Sequence, residues 1–306
     1  MSKIKRRTVM AQVSAQTQAH AQTTVKEQTG RPRRWLRPVN ILIYALLAWF
    51  TFTSLGPFIY SILSSFKPEQ EVLAFPPTLF PIHGTLSNYA ELLKGGTFAR
   101  YLFNSVVFAV SVAVLNVLFS AMAGYALSRM EFPGKNFIFV LTLAVMMIPT
   151  PVTIIPKFLV MNSAHLINTY WALIIPLMVQ PFSVFLMVQF MKGLPKELEE
   201  SARLDGASRW RTFYQIILPL VKPALTAVTI LSFQGAWNDF LWSLLVLNSD
   251  NMYTLPVGLF QFKSAHYTEY SLLIAGSMFN AIPVLVLFFI FQRYFIEGAV
   301  GSAVKG

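Results

Sequence analysis

Apolar residues in this chain fall into six long blocks separated by short polar ones. A transmembrane helix needs about 20 mainly apolar residues, because the hydrocarbon core is about 30 Å thick and a helix rises about 1.5 Å per residue. By that measure the blocks at 39–63, 102–127, 137–160, 170–190, 217–247 and 271–294 each predict a span. The fifth is too long for one straight crossing, which predicts a tilt, a kink or a pore-facing section. Pro149, Pro151, Pro156, Pro176 and Pro181 predict that the third and fourth spans are broken. Such breaks are tolerated where a helix lines a cavity or packs on protein. Small residues four apart in the second span (Ala109 and Ala113, Ser120 and Gly124) fit a close helix contact or ordinary membrane-helix composition equally well. The fold class is all-α, a polytopic membrane protein.

Composition agrees. The 306 residues are 55% hydrophobic and 12% charged, whereas soluble domains carry about 25% charged residues. The absence of cysteine excludes a disulfide scaffold, a thiolate metal site and a cysteine nucleophile. No Gly-x-x-x-x-Gly-Lys-Ser/Thr occurs, so the chain lacks the backbone nest that cradles nucleotide phosphates. His20, His83, His165 and His266 are scattered, and no Gly-x-Ser-x-Gly is present. Neither a metal site nor an enzyme active site is expected.

The net charge of +11 is distributed unevenly. Nineteen basic residues lie in segment 1–38, in loops 128–136 and 191–216, at Lys222 and after the sixth span; five (Lys67, Lys94, Arg100, Lys157, Lys263) lie on the other side. Basic residues favour the cytoplasmic side, so both termini are expected there, in a bacterial or archaeal inner membrane. Residues 1–38 are polar and basic with Glu27 as the one acid, and are expected to be a disordered tail. A cleavable signal peptide fits poorly, because its apolar region would be about 7–15 residues. The tail reads as a topology signal that anionic lipid could also hold, rather than as a nucleic-acid binder. The outer loop 64–101, with Pro68, Pro76, Pro77 and Pro81, predicts an irregular but ordered cap. Loop 248–270 is shorter and aromatic.

Residues 191–223 differ from every other inner loop. Pro195 suits a first helical position, and Glu197, Glu199 and Glu200 favour the positive end of a helix dipole. Gly206 supplies a left-handed residue to end that helix, and Ser208 is placed to cap a second. In the second helix Trp210, Phe213, Tyr214 and Ile217 form an apolar stripe, and Pro219 then bends the chain. Such a pair suits a knob for a groove on another protein or an amphipathic segment lying on the inner leaflet.

Glu200-Ser201-Ala202, then Gly206, then Ile216-x-Leu218-Pro219, resembles the EAA signature of ABC-importer permeases, with Ser201 in place of an alanine. Leu204-Asp205-Gly206-Ala207 resembles the carbohydrate branch. Ala126-Leu127-Ser128-Arg129, Phe132-Pro133-Gly134-Lys135, Met146-Met147-Ile148-Pro149, Trp237-Asn238-Asp239 and the ending from Tyr294 extend the likeness over about 39–306. The chain is thus identified as a member of the MalG-like permease subunits of carbohydrate importers.

That resemblance implies a type I importer permease domain over 39–294, with a coupling loop at 192–219 and a cytoplasmic tail at 295–306 that contacts the ATPase. It implies a second permease (MalF-like), an ATPase homodimer (MalK-like) holding ATP and Mg, an external solute-binding protein and a sugar substrate. This chain itself would hold no cofactor. Coupling residues implied are Glu200 for a polar contact, Ser201, Ala202 for close approach, Asp205, Gly206 as the elbow, Trp210, Ile216, Leu218 and Pro219. Loop 248–270 would reach the binding protein.

Within the spans, polar residues are costly and usually functional. Asp239, beside Trp237 and Asn238, reads as cavity lining or sugar contact, or as a break or cap in the long fifth helix. Gln180, Gln234 and Asn280 read as interhelical hydrogen bonds or as path residues. A secondary transporter using Asp239 as an ion relay is the rival reading. Bulk at position 206 tests the coupling assignment: Gly206→Trp is expected to insert normally yet lose ATP-dependent uptake. Wild-type uptake by this variant refutes the assignment.

Overall fold

In a computed structural model, the backbone of residues 38–263 and 268–303 and the side chains of 40–263 and 268–291 are described. The expected tail at 1–38 lies outside the described residues except for Pro38, as do the side chains of the 295–306 ending. The described residues are helical, apart from loops and one isolated bridge between Lys263 and Thr268. Two compact units divide the chain, Met1–Tyr60 and Ser61–Gly306. Helix α1 (Pro38–Ser64) begins in the first, and keeps Pro57 inside it without a break.

In the second unit, α2 (Glu69–Val72) and α3 (Ser87–Leu93) form the cap between α1 and the long α4 (Thr97–Arg129). Helices α5 (Lys135–Met146) and α6 (Thr150–Ser163) make a pair bent by 108°. A second pair, α7 (Tyr170–Leu177) and α8 (Pro181–Lys192), bends by 41°. The loop helix α9 (Glu197–Leu204) follows, then α10 (Arg209–Leu220) and α11 (Lys222–Trp237), which meet at 80°. Short helices α12 (Leu241–Val246) and α13 (Leu255–Phe260) precede α14 (Tyr270–Ala303). Among the described residues three helices are long and apolar enough to cross a bilayer alone, and up to six spans result if each bent pair is one.

The breaks have local causes. Pro149 is extended as the N-cap of α6; Gln180 is extended ahead of Pro181, as the residue before a proline prefers. Pro156 and Pro283, by contrast, sit inside α6 and α14. The expected fifth span at 217–247 is not one helix. It turns at Val221, where Pro219 and Pro223 flank the bend, and stops again at Asn238–Phe240 before α12. Proline removes a backbone donor and clashes with the preceding turn, so two prolines four residues apart defeat a straight continuation.

Helix α4 is the centre of the second unit, packed on α8 and α11. Phe108, Ala109 and Val112 are fully buried. Of the small pairs in this helix, Gly124 marks the tightest approach: an added Cβ would lie 2.6 Å from Met187 Cβ and 3.3 Å from Val188 N on α8. Asn116, also fully buried, ties three elements together. Its Nδ2 donates to Ser183 Oγ on α8 (2.9 Å) and Ser232 Oγ on α11 (2.6 Å). Its Oδ1 accepts from the backbone N–H of Gln180 (3.0 Å) and from Ser120 Oγ (2.9 Å). The amide group freed by the break before α8 is therefore satisfied by a side chain, as apolar surroundings require.

At its other end α4 fastens the later loops. Tyr101 donates its hydroxyl to Asp250 Oδ1. Asn104 Nδ2 donates to the carbonyls of Asn251 (3.0 Å) and Tyr253 (2.9 Å), and Ser105 Oγ accepts from Leu255 N (2.7 Å) at the start of α13. The cap expected over 64–101 holds α2 and α3, and α4 already begins within it at Thr97. Lys67 Nζ donates to Thr78 O, and Asn88 Nδ2 to the carbonyls of Ser65 and Lys67. Glu69 accepts from Tyr270 N (3.1 Å) and Ser271 N (2.7 Å), capping α14.

Two outcomes follow. Gly124→Ala is expected to force α4 and α8 apart at a cost of about 1–3 kcal/mol, read as a lower Tm of the purified protein. Glu71 accepts N–H bonds from Ile82 and His83 and a hydroxyl bond from Thr78. The Ile82 bond leads in holding its carboxyl below the usual range, against the opposing effect of burial. Its contribution is therefore present above the unfolded-state pKa and lost as pH falls through the lower folded value. Protease cleavage within 64–96 should rise on acidification in wild type and depend less on pH in Glu71→Gln.

Candidate functional site

The 191–223 loop folds as two short helices at a rigid elbow. Helix α9 ends in a Schellman arrangement: Gly206 N donates to Arg203 O (3.0 Å) and Ala207 N to Ala202 O (2.9 Å). Gly206 has φ +78°, with open space where a Cβ would stand. Only backbone conformation, and no contact within this chain, asks for glycine there. Ser208 caps α10, its Oγ accepting from Arg211 N (3.3 Å).

The expected stripe on α10 divides. Phe213 and Ile217 turn inward against Tyr125, Met187, Met191 and Val221, whereas Trp210 and Tyr214 are 62% and 54% exposed. The reason is a π turn over Phe213–Ile217. In that wider i→i+5 turn each residue rotates less, so Ile217 comes round to the side of Phe213 and away from Trp210. Leu204, 90% exposed at the end of α9, adds to the outward apolar surface. Glu200, Ser201, Asp205 and Pro219 are also exposed, and Ile216 and Leu218 are half-buried. Ser201 Oγ donates back to Glu197 O (2.9 Å). Ala202 is buried within this chain, so its small side chain serves the packing of α9 rather than presenting a surface.

Two residues that the sequence placed only at a helix dipole and in a loop motif fix this loop together. Arg129, last in α4, and Glu199 on α9 form an ion pair at 3.3 Å, with their side chains 3% and 7% exposed. Arg129 Nη2 also donates to Leu194 O (2.7 Å) and to Met191 O at the end of α8. Beside the pair lies a cavity of about 270 Å³ lined by Tyr125, Glu200, Arg203 and Arg209 among others. The run Glu199-Glu200 was the available signal: adjacent residues on a helix point about 100° apart, so one can face in while the other faces out.

The path candidates do not form one cluster. Trp237 is fully buried, stacked on Phe233 (5.6 Å between centroids, 8° between planes) with Nε1 donating to Asn280 O (2.9 Å). Asn280 Nδ2 reaches Asn238 Oδ1 (3.4 Å), while Asn280 Oδ1 is buried without a partner. Gln234 on α11 and Asn238 at its C-cap are exposed. Asp239 turns to α12, its Oδ2 accepting from Ser243 N (2.9 Å) and Oγ (2.8 Å). Gln180 lies elsewhere, held at Asn116 through its backbone. Asn238-Asp239 breaks the fifth span, and Asp239 caps α12. Among the described residues no three His, Asp or Glu side chains could share a metal ion.

Known proteins resemble this chain along most of its length. The chain is 39% identical over 285 residues to the arabinooligosaccharides transport system permease protein AraQ of Halalkalibacterium halodurans, covering 92% of this chain and 100% of that protein. It is 34% identical over 276 residues to the trehalose/maltose transport system permease protein MalG of Thermococcus litoralis, covering 89% and 98%. The fold matches the crystal structure of a bacterial ABC transporter involved in the import of the acidic polysaccharide alginate, with TM-score 0.78, 24% identity, and 86% and 99% of the two chains covered. Residues 116–300 match the family described as binding-protein-dependent transport system inner membrane component. A helical chain with paired broken spans, a two-helix elbow between the fourth and fifth of them, and permease relatives along its length belongs to that family of ABC-transporter permeases.

Proposed function

We propose that this chain is one of two permeases in an ATP-driven importer of oligosaccharides, and that the 191–223 elbow is where an ATPase subunit docks. The observation that carries the docking is the outward surface of Leu204, Trp210, Tyr214 and Glu200, held by a Schellman turn and a serine cap on a chain with no phosphate loop of its own. Gly206, Asp205 and Ser201 shape that surface, Ile216, Leu218 and Pro219 join it to α11, and Ala202 supports it from within. Large apolar and aromatic side chains are the usual anchors of protein interfaces. ATP and Mg belong to the paired ATPase subunits (MalK-like), the second permease is MalF-like, and an external binding protein delivers the sugar to the side of loop 248–270. The names of the permease relatives support a sugar cargo.

Both termini lie in the cytoplasm in this reading. The loop contacts support it, since each joins segments that the basic-residue count assigns to one side. Arg129 reaches the 191–199 region, while Asn168 Oδ1 accepts from Asn248 N and Ser249 Oγ on the opposite side. ATPase closure then moves the elbow and switches the spans between outward and inward access, as differential contact in the two states requires. The exposed amides of Gln234 on α11 and Asn238 at its C-cap face the sugar path, with Trp237, Asn280 and Asp239 fixing the helix end behind them. The relatives are ABC-transport permeases, and an ion relay through Asp239 has no support from them.

The test is uptake in inside-defined vesicles holding the chain with its own partner permease, ATPase and binding protein. Vanadate-sensitive, ATP-dependent accumulation of labelled arabinotriose or maltose is expected. Protonophore-sensitive flux without ATP would overturn the importer reading.

A further inference from the structure

We infer that the two adjacent glutamates of the elbow have separate tasks, and that the buried Arg129–Glu199 pair is the joint through which movement of the elbow reaches α4. The inference rests on the docking assignment above and adds residues to it. Glu200 is exposed and available to a partner, whereas Glu199 points back into the chain. There its carboxylate meets Arg129 at 3.3 Å. The same guanidinium holds the carbonyls of Met191 and Leu194. One side chain therefore ties together the inner end of α4, the last turn of α8 and the first turn of α9. A planar fork that donates in several directions can do this, which a lysine ammonium on a flexible stem does less well.

The position of this joint gives it mechanical meaning. Helix α4 carries Gly124 against α8, the Asn116 amide under α8 and α11, and the Tyr101, Asn104 and Ser105 contacts at the far side of the membrane. A displacement of α9 that kept Arg129 bound would have to take the end of α4 with it. If the pair parted instead, two charges would remain in a site only 3% and 7% exposed. An uncompensated buried charge is strongly unfavourable, so rigid-body movement of α9 with α4 is preferred over separation. The apolar contacts of Phe213 with Tyr125 run parallel to the joint, with ring centroids 5.1 Å apart, and close the same gap between α10 and α4. Arg129 and Glu199 are positioning residues in this account, since neither touches sugar or nucleotide.

The experiment compares Glu199→Gln with Glu200→Gln in the complete complex in proteoliposomes, measuring labelled arabinotriose or maltose taken up per ATP hydrolysed. Glu199→Gln keeps the shape of the side chain and leaves Arg129 its two carbonyls, so assembly is expected. Its uptake per ATP should fall about tenfold, within the range by which residues along a coupling route alter it. Glu200→Gln should instead weaken co-purification of the ATPase subunits. Arg129→Lys should lie between wild type and Glu199→Gln in uptake per ATP. The double variant Arg129→Gln with Glu199→Gln should be no worse than Arg129→Gln alone, as members of one interaction are not additive. An uptake-to-ATP ratio in Glu199→Gln within twofold of wild type overturns the inference. So does a loss of uptake that only tracks loss of assembled complex. Absence of ATP-driven uptake by the wild-type complex would instead overturn the importer reading, so the two failures are distinguishable.

Discussion

The side chain of Asn116 sits where α4, α8 and α11 meet and satisfies groups from all three. Apolar surroundings provide no water to replace it, and an unpaired polar group there costs about 1–3 kcal/mol. The break at Gln180 is possible because its freed amide finds Asn116 Oδ1. Ser183 and Ser232, in turn, can occupy the helix contact because Nδ2 has two hydrogens to give. Removing this amide would take away the partners of Gln180 N, Ser120 Oγ and Ser183 Oγ, whereas Ser232 Oγ keeps its bond to Val228 O. The crossing of α4 with α8 near Gly124, and everything attached to the ends of α4, is held in register by this amide.

Much of the fold could be read from the chain because membrane crossing imposes a length and a composition. Blocks of apolar residues marked the spans to within a few residues, as 102–127 against Thr97–Arg129 shows. The prolines marked the breaks at Pro149 and Pro181, but Pro156 and Pro283 sit inside continuous helices, because a proline's residue type alone does not say whether the helix goes on past it. The fifth block, too long for one straight crossing, is bent as its length required, but composition registers hydrophobicity and not direction, so the angle and the second break were not legible. Residues 217–247 are apolar throughout, yet they belong to three helices with a sharp turn at Val221.

The elbow was legible in its backbone and less so in its side chains. Gly206 and Ser208 end and begin helices because their local hydrogen bonding depends little on tertiary context. Trp210, Phe213, Tyr214 and Ile217 do recur at helical spacing, but the spacing presumes an α-helix, and the π turn separates the two inner residues from the two outer ones. Asn116 and Arg129 were harder to value. A lone amide in a span and a lone cation at its end look like the many polar residues that do little, until their partners on other helices are known. Trp237 illustrates the opposite error, since an aromatic beside two polar residues suggested a ligand face and the ring is fully enclosed by protein.

Glu69 has a consequence for how the molecule is made. Its carboxylate closes the beginning of α14, a partner 201 residues further along the chain. The ribosome delivers the 64–96 segment long before residue 270 exists, so the Glu69 carboxylate is made without these two partners. Only when the final hydrophobic segment is threaded does the carboxylate meet Tyr270 N and Ser271 N. The cap is therefore fastened to α14 only after nearly the whole chain has been made, by a clasp whose two halves come from opposite ends of the messenger.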